Sequence, residues 1–244
     1  MLGKRSSETL TMMQSLSELA NSPAPEAVLQ EAELCDKAKQ HLQEGKYTAA
    51  LEAVMPLATS GNSLLAEYAT EIAIFALDEL VDQYYERGDY QTSLSYLNLW
   101  LTIQPRSLYA QIRKAEILWW EIGDVKQARR VYRVIAQKHP RCLEAWIGLA
   151  DIALHLEQYR RAYSYLRRAW TTLSEPEWAY PPTREIVANV LESLYVLTAR
   201  LLVNLGYVQN AERILLQGVE RIDTVSSYVL EELNIVRQLL TKSE

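Results

Sequence analysis

The chain is short of the residues that break helices. Of its 244 residues, eight are glycine and eight are proline, against ordinary usage of about 7% and about 5%. A chain that turns so seldom favours long helices over hairpins. Its glycines, at Gly3, Gly45, Gly61, Gly88, Gly123, Gly148, Gly206 and Gly218, are too scattered for a GxGxxG or GxxxxGK loop, so the common phosphate-cradling fingerprints are missing. The two cysteines, Cys35 and Cys142, cannot build a disulfide framework, which fits a reducing compartment. Basic residues are in deficit, 25 against 31 acidic, and the net charge of −6 gives no global attraction for a phosphate backbone. The first 20 residues lack the apolar stretch of a secretory signal, and no run of about 18 apolar residues is present to span a membrane. A cytoplasmic location is expected. With 49% apolar and 23% charged residues, the composition is that of a folded globular chain.

An internal repeat is present. Gly45-Lys46-Tyr47, Gly88-Asp89-Tyr90, Gly123-Asp124-Val125, Glu157-Gln158-Tyr159 and Gly206-Tyr207-Val208 are spaced by 43, 35, 34 and 49 residues. Five positions after each start stands a small residue: Ala50, Ser93, Ala128, Ala162 and Ala211. Leu34, Leu77, Ile112, Trp146 and Tyr195 share one apolar column, and Val54, Leu97, Tyr132, Leu166 and Leu215 share another. Pro105 and Pro140 close the second and third copies.

Each copy reads as two antiparallel helices. Trp146, Leu149 and Ala153 draw an apolar stripe on the first helix. The glycine then permits a left-handed turn. The small residue lies on the second helix, where a larger one would hold the pair apart, and the proline ends that helix. One such pair cannot bury its own stripe; stacked neighbours can.

This pattern resembles the tetratricopeptide repeat, a 34-residue helix–turn–helix unit, over roughly residues 31–225. Trp146, Leu149, Ala150, Tyr159 and Ala162 in the fourth copy, and Leu77, Leu80, Tyr84, Gly88, Tyr90 and Pro105 in the second, stand at the signature columns. Departures are Lys37 and Pro56 in the first copy, Glu116 in the third, and Thr198 and Gly218 in the fifth. The resemblance implies an all-α, right-handed α-solenoid of about five helix–turn–helix repeats with a C-terminal capping helix. The expected division is a tail or short helix over 1–25, the solenoid over 26–225 and the cap over 226–244.

The excess residues fall in two places. Nine extra residues near 60–73 predict one extended helix running to Glu86. After the fourth copy, Ser174 to Thr183 carries three prolines and reads as a loop, with the next helix starting at about Thr183. Val225 to Thr241 reads as the amphipathic cap, with Val229, Leu230, Leu233, Ile235, Val236 and Leu239 apolar.

The resemblance also implies a concave groove lined by the first helices. Its inward columns hold Phe75, Asp78, Asp82 and Tyr85 in the second copy, and Ala110, Arg113, Ile117 and Trp120 in the third. The fourth adds Glu144, Ile147, Asp151 and Leu154. Tyr85, Trp120 and Leu154 are expected to form an apolar ladder of binding anchors. Family members that hold a C-terminal carboxylate do so through lysines and asparagines. Here aspartates occupy those columns at Asp78 and Asp82, so a partner with basic and apolar side chains fits better.

Chemistry is poorly represented. His139-Pro140-Arg141-Cys142 brings two metal-ligand types together without a second pair, and the three histidines, His41, His139 and His155, have no matching nucleophile. Glu116 sits inside a repeat column with no partner evident in the sequence. Arginine clusters at Arg129-Arg130, Arg133, Arg160-Arg161 and Arg167-Arg168 read as outer-face charges on the second helices. No cofactor and no metal are expected. The expected function is a noncatalytic protein-interaction scaffold or adaptor that holds a peptide or partner helix in the groove, with no nucleic-acid partner. The rivals are a self-associating structural subunit, a helical-repeat nucleic-acid reader and an enzyme subunit.

Overall fold

The computed structural model of the chain describes residues 25–60, 64–222 and 226–241. Every named element among them is helical, and the chain divides into two compact units, one ending at Pro105 and the other beginning at Arg106. The first unit holds α1 (Pro25–Gln43), α2 (Tyr47–Ala58), α3 (Ala66–Glu86) and α4 (Tyr90–Ile103). The second holds α5 (Leu108–Glu116), which runs on into a π turn (Ile117–Glu121), then α6 (Val125–Lys138), α7 (Leu143–His155), α8 (Tyr159–Thr172), α9 (Arg184–Asn204), α10 (Val208–Arg221) and α11 (Ser227–Thr241). Within each unit sequence-adjacent helices pack on one another, as α-solenoid pairs do.

The corners of these pairs are the repeat starts. Gly45, Gly88, Gly123 and Gly206 all have positive φ, from 71° to 84°. The fourth corner uses Glu157 instead, at φ 55°. A residue with a Cβ is strained there by roughly 1–2 kcal/mol, partly offset because glycine is freer in the unfolded chain. Glu157→Gly is therefore expected to stabilise the protein by about 1 kcal/mol, read as a rise in the urea midpoint at unchanged slope.

The small residues behave as the repeat requires. Ala50, Ser93, Ala128, Ala162 and Ala211 are wholly buried, each where a second helix crosses its mate. Ser93 adds a hydrogen bond, its hydroxyl donating to the carbonyl of Val81 across the α3–α4 pair at 3.0 Å. Asp89 and Asp124 start α4 and α6 by accepting from the backbone N–H of Thr92 and Gln127. The apolar column is buried at Leu77, Ile112 and Tyr195 but not at Leu34, which is 38% exposed. Leu34 lies on the first described helix, where no earlier described helix covers it; Cys35 and Ala38 make that helix's core contacts instead.

The extended helix is α3, and Thr183 caps α9 by accepting from Ile186 N–H. One apolar core joins α7, α8 and α9 through Leu143, Ala150, Leu166, Leu194 and Leu201. Another joins α9, α10 and α11 through Val196, Leu215, Val229, Leu233 and Val236. On the cap, Val229, Leu233 and Val236 face inward as expected, while Leu230 and Ile235 do not. The tail expected over 1–25 falls, but for Pro25, outside the described residues.

One helix bears on the expectation that no segment spans a membrane. Over its 21 residues α9 is long and apolar enough to cross a membrane, with a mean hydropathy of 1.6 in its most apolar stretch. In the second unit it is the central helix. It packs against α7, α8, α10 and α11 and carries buried Glu192 and half-buried Arg200.

Candidate functional site

The second unit contains a cavity of ≈ 330 Å³. Its walls come from one face of α5 and the π turn, Tyr132 of α6, one face of α7, the first two-thirds of α9, the loop between α8 and α9, and the head of α11. Of the predicted groove residues, Arg113, Trp120, Glu144, Ile147 and Asp151 line it. Their spacing along each helix repeats every three to four residues, which places them on a single face.

Ile117 is not among them; it is fully buried. The reason is the π turn. The N–H of Ile122 donates to the carbonyl of Ile117, five residues back, at 3.1 Å. This wider turn carries an extra residue and shifts the helical phase. Glu116 takes the cavity position and Ile117 enters the core. The two tryptophans that follow also diverge. Trp119 is buried and its indole N–H donates to Asp151 Oδ2 at 2.6 Å, whereas Trp120 remains 62% exposed at the cavity rim.

Leu154 is half-buried, packs against the α7–α9 core and does not line the cavity. Phe75, Asp78, Asp82 and Tyr85 lie on α3 of the first unit. There Phe75 is 51% exposed, Asp82 is exposed, and Tyr85 meets the ring of Tyr90 edge-on at 5.5 Å.

The loop of residues 174–183 is tied down like a strap. Glu177 N–H donates to the carbonyl of Arg141 at 2.8 Å, and Glu177 Oε1 lies 2.8 Å from His139 Nδ1. Ala179 N–H donates to Glu144 Oε1 at 2.9 Å. The Tyr180 hydroxyl donates to Glu116 Oε2, and its ring meets Tyr109 edge-on. Glu116 thus has a partner, contrary to the sequence expectation, and that partner sits 64 positions further on. Glu144 and Asp151 are only 7% and 8% exposed and are bonded to their own chain. They line the cavity while being largely closed off from solvent.

His139 and Cys142 have similar structural roles. His139 faces Glu177, and the buried Cys142 thiol donates to Glu144 Oε2 at 3.6 Å. Among the described residues no group of three or more His, Cys, Asp or Glu side chains is arranged to hold a metal ion. The arginines Arg130, Arg133, Arg160, Arg161, Arg167 and Arg168 are exposed on α6 and α8 and do not line the cavity.

Sequence reasoning missed Tyr180, Tyr228, and Asn189, Val190 and Ser193 of α9. Ser193 had a signal: it occupies in the fifth copy the column that Glu144 holds in the fourth.

Burial governs the electrostatics. Loss of water pushes the Glu116 carboxyl up to about 7, against the opposing pull of the Tyr180 hydrogen bond and the Arg113 charge. Desolvation also raises Glu144 and Asp151, and lifts the hydroxyls of Tyr132 and Tyr180 far above the ordinary range. Between its ordinary value of 4.5 and about 7, folded Glu116 keeps a proton that the unfolded chain releases. Its contribution to stability therefore falls as pH rises through that window. With the cavity leaving the group partly solvated, this amounts to on the order of 1–2 kcal/mol between pH 5 and 8. Glu116→Gln, which keeps an acceptor for Tyr180, is expected to flatten the pH dependence of the unfolding free energy by that amount.

No family model and no curated protein sequence matches the chain. Among solved structures, similarity is found to a double mutant of MamA RS-1, with 17% identity, TM-score 0.44, and coverage of 75% of this chain and 95% of that one. A tetratricopeptide repeat protein from Parabacteroides merdae gives 15% identity, TM-score 0.38, and coverage of 86% and 99%. PilW, a type IV pilus biogenesis factor, gives 15% identity, TM-score 0.46, and coverage of 84% and 97%. At such values the repeat assignment stands on the chain's own corners and packing.

Proposed function

We propose that this tetratricopeptide-like chain is a noncatalytic scaffold that holds a peptide segment or partner helix, basic and apolar in character, against the first helices of its second unit. The observation that carries this reading is Trp120, an exposed aromatic at the rim of a cavity whose polar wall is mostly carboxylate. Exposed tryptophans are frequent energetic centres of protein interfaces. The strap and the buried hydrogen bonds hold the cavity open in advance, so the receptor loses little conformational entropy on binding. Phe75, Asp78, Asp82 and Tyr85 supply a second, similarly mixed surface on α3. The cytoplasmic location expected from the sequence stays part of the proposal.

The test is selection from a random peptide library, followed by titration of the selected peptides. Sequences rich in lysine or arginine with apolar neighbours are expected. Trp120→Ala should weaken their binding by about 2 kcal/mol, roughly 30-fold, at unchanged thermal stability. Enrichment of acidic peptides, or equal affinity for the variant, overturns the reading. Self-association is the second reading, favoured by Leu230 and Ile235 exposed on the cap. A concentration-dependent mass in light scattering that vanishes in Ile235→Glu would support it.

A further inference from the structure

The cavity offers more than a general preference for basic partners. Its volume of ≈ 330 Å³ suits one long side chain and not a helix. Part of the lining is apolar: Ile147, one turn from Asp151 on α7, with Val190 and Leu197 of α9. The polar part includes Glu116 and Asp151, each pinned through one oxygen, Oε2 by the Tyr180 hydroxyl and Oδ2 by the Trp119 indole. Glu144 already accepts from Ala179 N–H through one oxygen and from the Cys142 thiol through the other. Arg113 is the only cationic side chain in the lining and is outnumbered by these three carboxylates.

Buried charge is costly unless an opposite charge answers it. Desolvation raises Glu116, Glu144 and Asp151 above their ordinary values, against the opposing pull of Arg113 on Glu116 and of Arg200 and His155 on Asp151, so a further cation brought beside them would favour their charged forms. An ammonium or guanidinium group with an aliphatic stem meets every wall at once. The stem would lie along Ile147, Val190 and Leu197, as long basic side chains do on apolar surfaces. The head would lie beside the carboxylates, with the Trp120 ring at the rim within the same lining. A carboxylate guest would face three of its own sign.

We propose that this cavity receives a single lysine or arginine side chain projecting from the bound partner, with its cationic head held between Glu116 and Asp151. The assignment rests on the scaffold reading above and sharpens it to one anchoring residue.

The probes are n-butylguanidinium and n-butylammonium, with pentanoate and n-butanol as controls at matched ionic strength. The readout is the set of indole N–H resonances of the six tryptophans, assigned by single Trp→Phe substitutions. Trp119 and Trp120 should shift with millimolar affinity for the cations, while Trp100 and Trp170 stay still. Asp151→Asn, which preserves an acceptor for Trp119, should weaken cation binding at least tenfold, and Glu116→Gln severalfold. Binding should strengthen severalfold from pH 6 to pH 8 as Glu116 ionises among Arg113 of α5, Tyr132 of α6, Glu144 of α7 and Tyr180 of the strap. Equal binding of pentanoate or butanol, or unchanged affinity in both variants, overturns the assignment. The two readings fail separately. A selected peptide that needs Trp120 but tolerates norleucine at every lysine and arginine keeps the scaffold and removes the cation site. Cation probes that bind where no peptide does have the opposite meaning.

Discussion

Gly148→Ala is expected to destabilise the protein by about 3 kcal/mol, near the upper end for overpacking of a well-filled core. A Cβ at this position of α7 would sit 2.4 Å from Cζ of Tyr132 and 2.6 Å from both neighbouring ring carbons. Contacts that short do not occur, so the ring must move by an ångström or more. Tyr132 is 2% exposed on α6, and the open space beside it is the cavity that it lines. The variant should therefore lose stability and cavity volume together. Chemical denaturation measures the first, and loss of n-butylguanidinium binding measures the second. A Gly148→Ala protein with wild-type stability would show that α6 and α7 approach less closely than described.

Arg200→Met should cost a similar amount, about 3 kcal/mol, by a different route. Arg200 on α9 donates through Nε and Nη2 to the same oxygen of Glu232 on α11, at 3.0 and 2.8 Å. Glu232 is 7% exposed. Removing the guanidinium leaves a buried carboxylate without its counter-charge, which is far more costly than the net worth of the intact pair. The guanidinium also lies over the Tyr228 ring, 5.4 Å from its centre, so the head of the cap loses a second tie. The double variant Arg200→Met/Glu232→Leu should recover most of the loss, because an apolar pair of similar size suits the site. Urea unfolding of the two single variants and the double completes the cycle. If the double variant were as unstable as Arg200→Met, the cost would lie in lost packing and not in the stranded charge.

Much of the architecture was legible because the repeat writes it in local signals. A glycine at a fixed phase demands a left-handed corner, and four corners have it. An alanine or serine five residues later demands close helix approach, and all five are wholly buried. The long α3, the strap and the start of α9 follow from where breakers are present or absent. The cavity was only half legible. Arg113, Trp120, Glu144, Ile147 and Asp151 follow from helical periodicity, but periodicity is blind to a turn that changes period, and so Ile117 was expected where Glu116 stands. Nor does a local signal announce that Tyr180 reaches Glu116, or that Glu144 answers the N–H of Ala179, 35 positions on. Carboxylates in a repeat column look alike on paper whether they face a ligand or hold a loop.

The π turn also explains a discrepancy in counting. Gly88 and Gly123 are 35 residues apart, whereas Gly123 and Glu157 are 34 apart, yet α5 and α7 each begin 20 residues after the preceding corner. The surplus residue must lie between the start of α5 and Gly123, and the helix swallows it by widening one coil. Excising one residue there to restore the shorter interval would rewind the coil and rotate everything upstream in α5 by about 100°. Arg113 and Glu116 would swing out of line with Tyr180, and the neighbouring tryptophans would lose their opposed orientations. What reads as a slip in the spacing acts as the gearing that aims this helix.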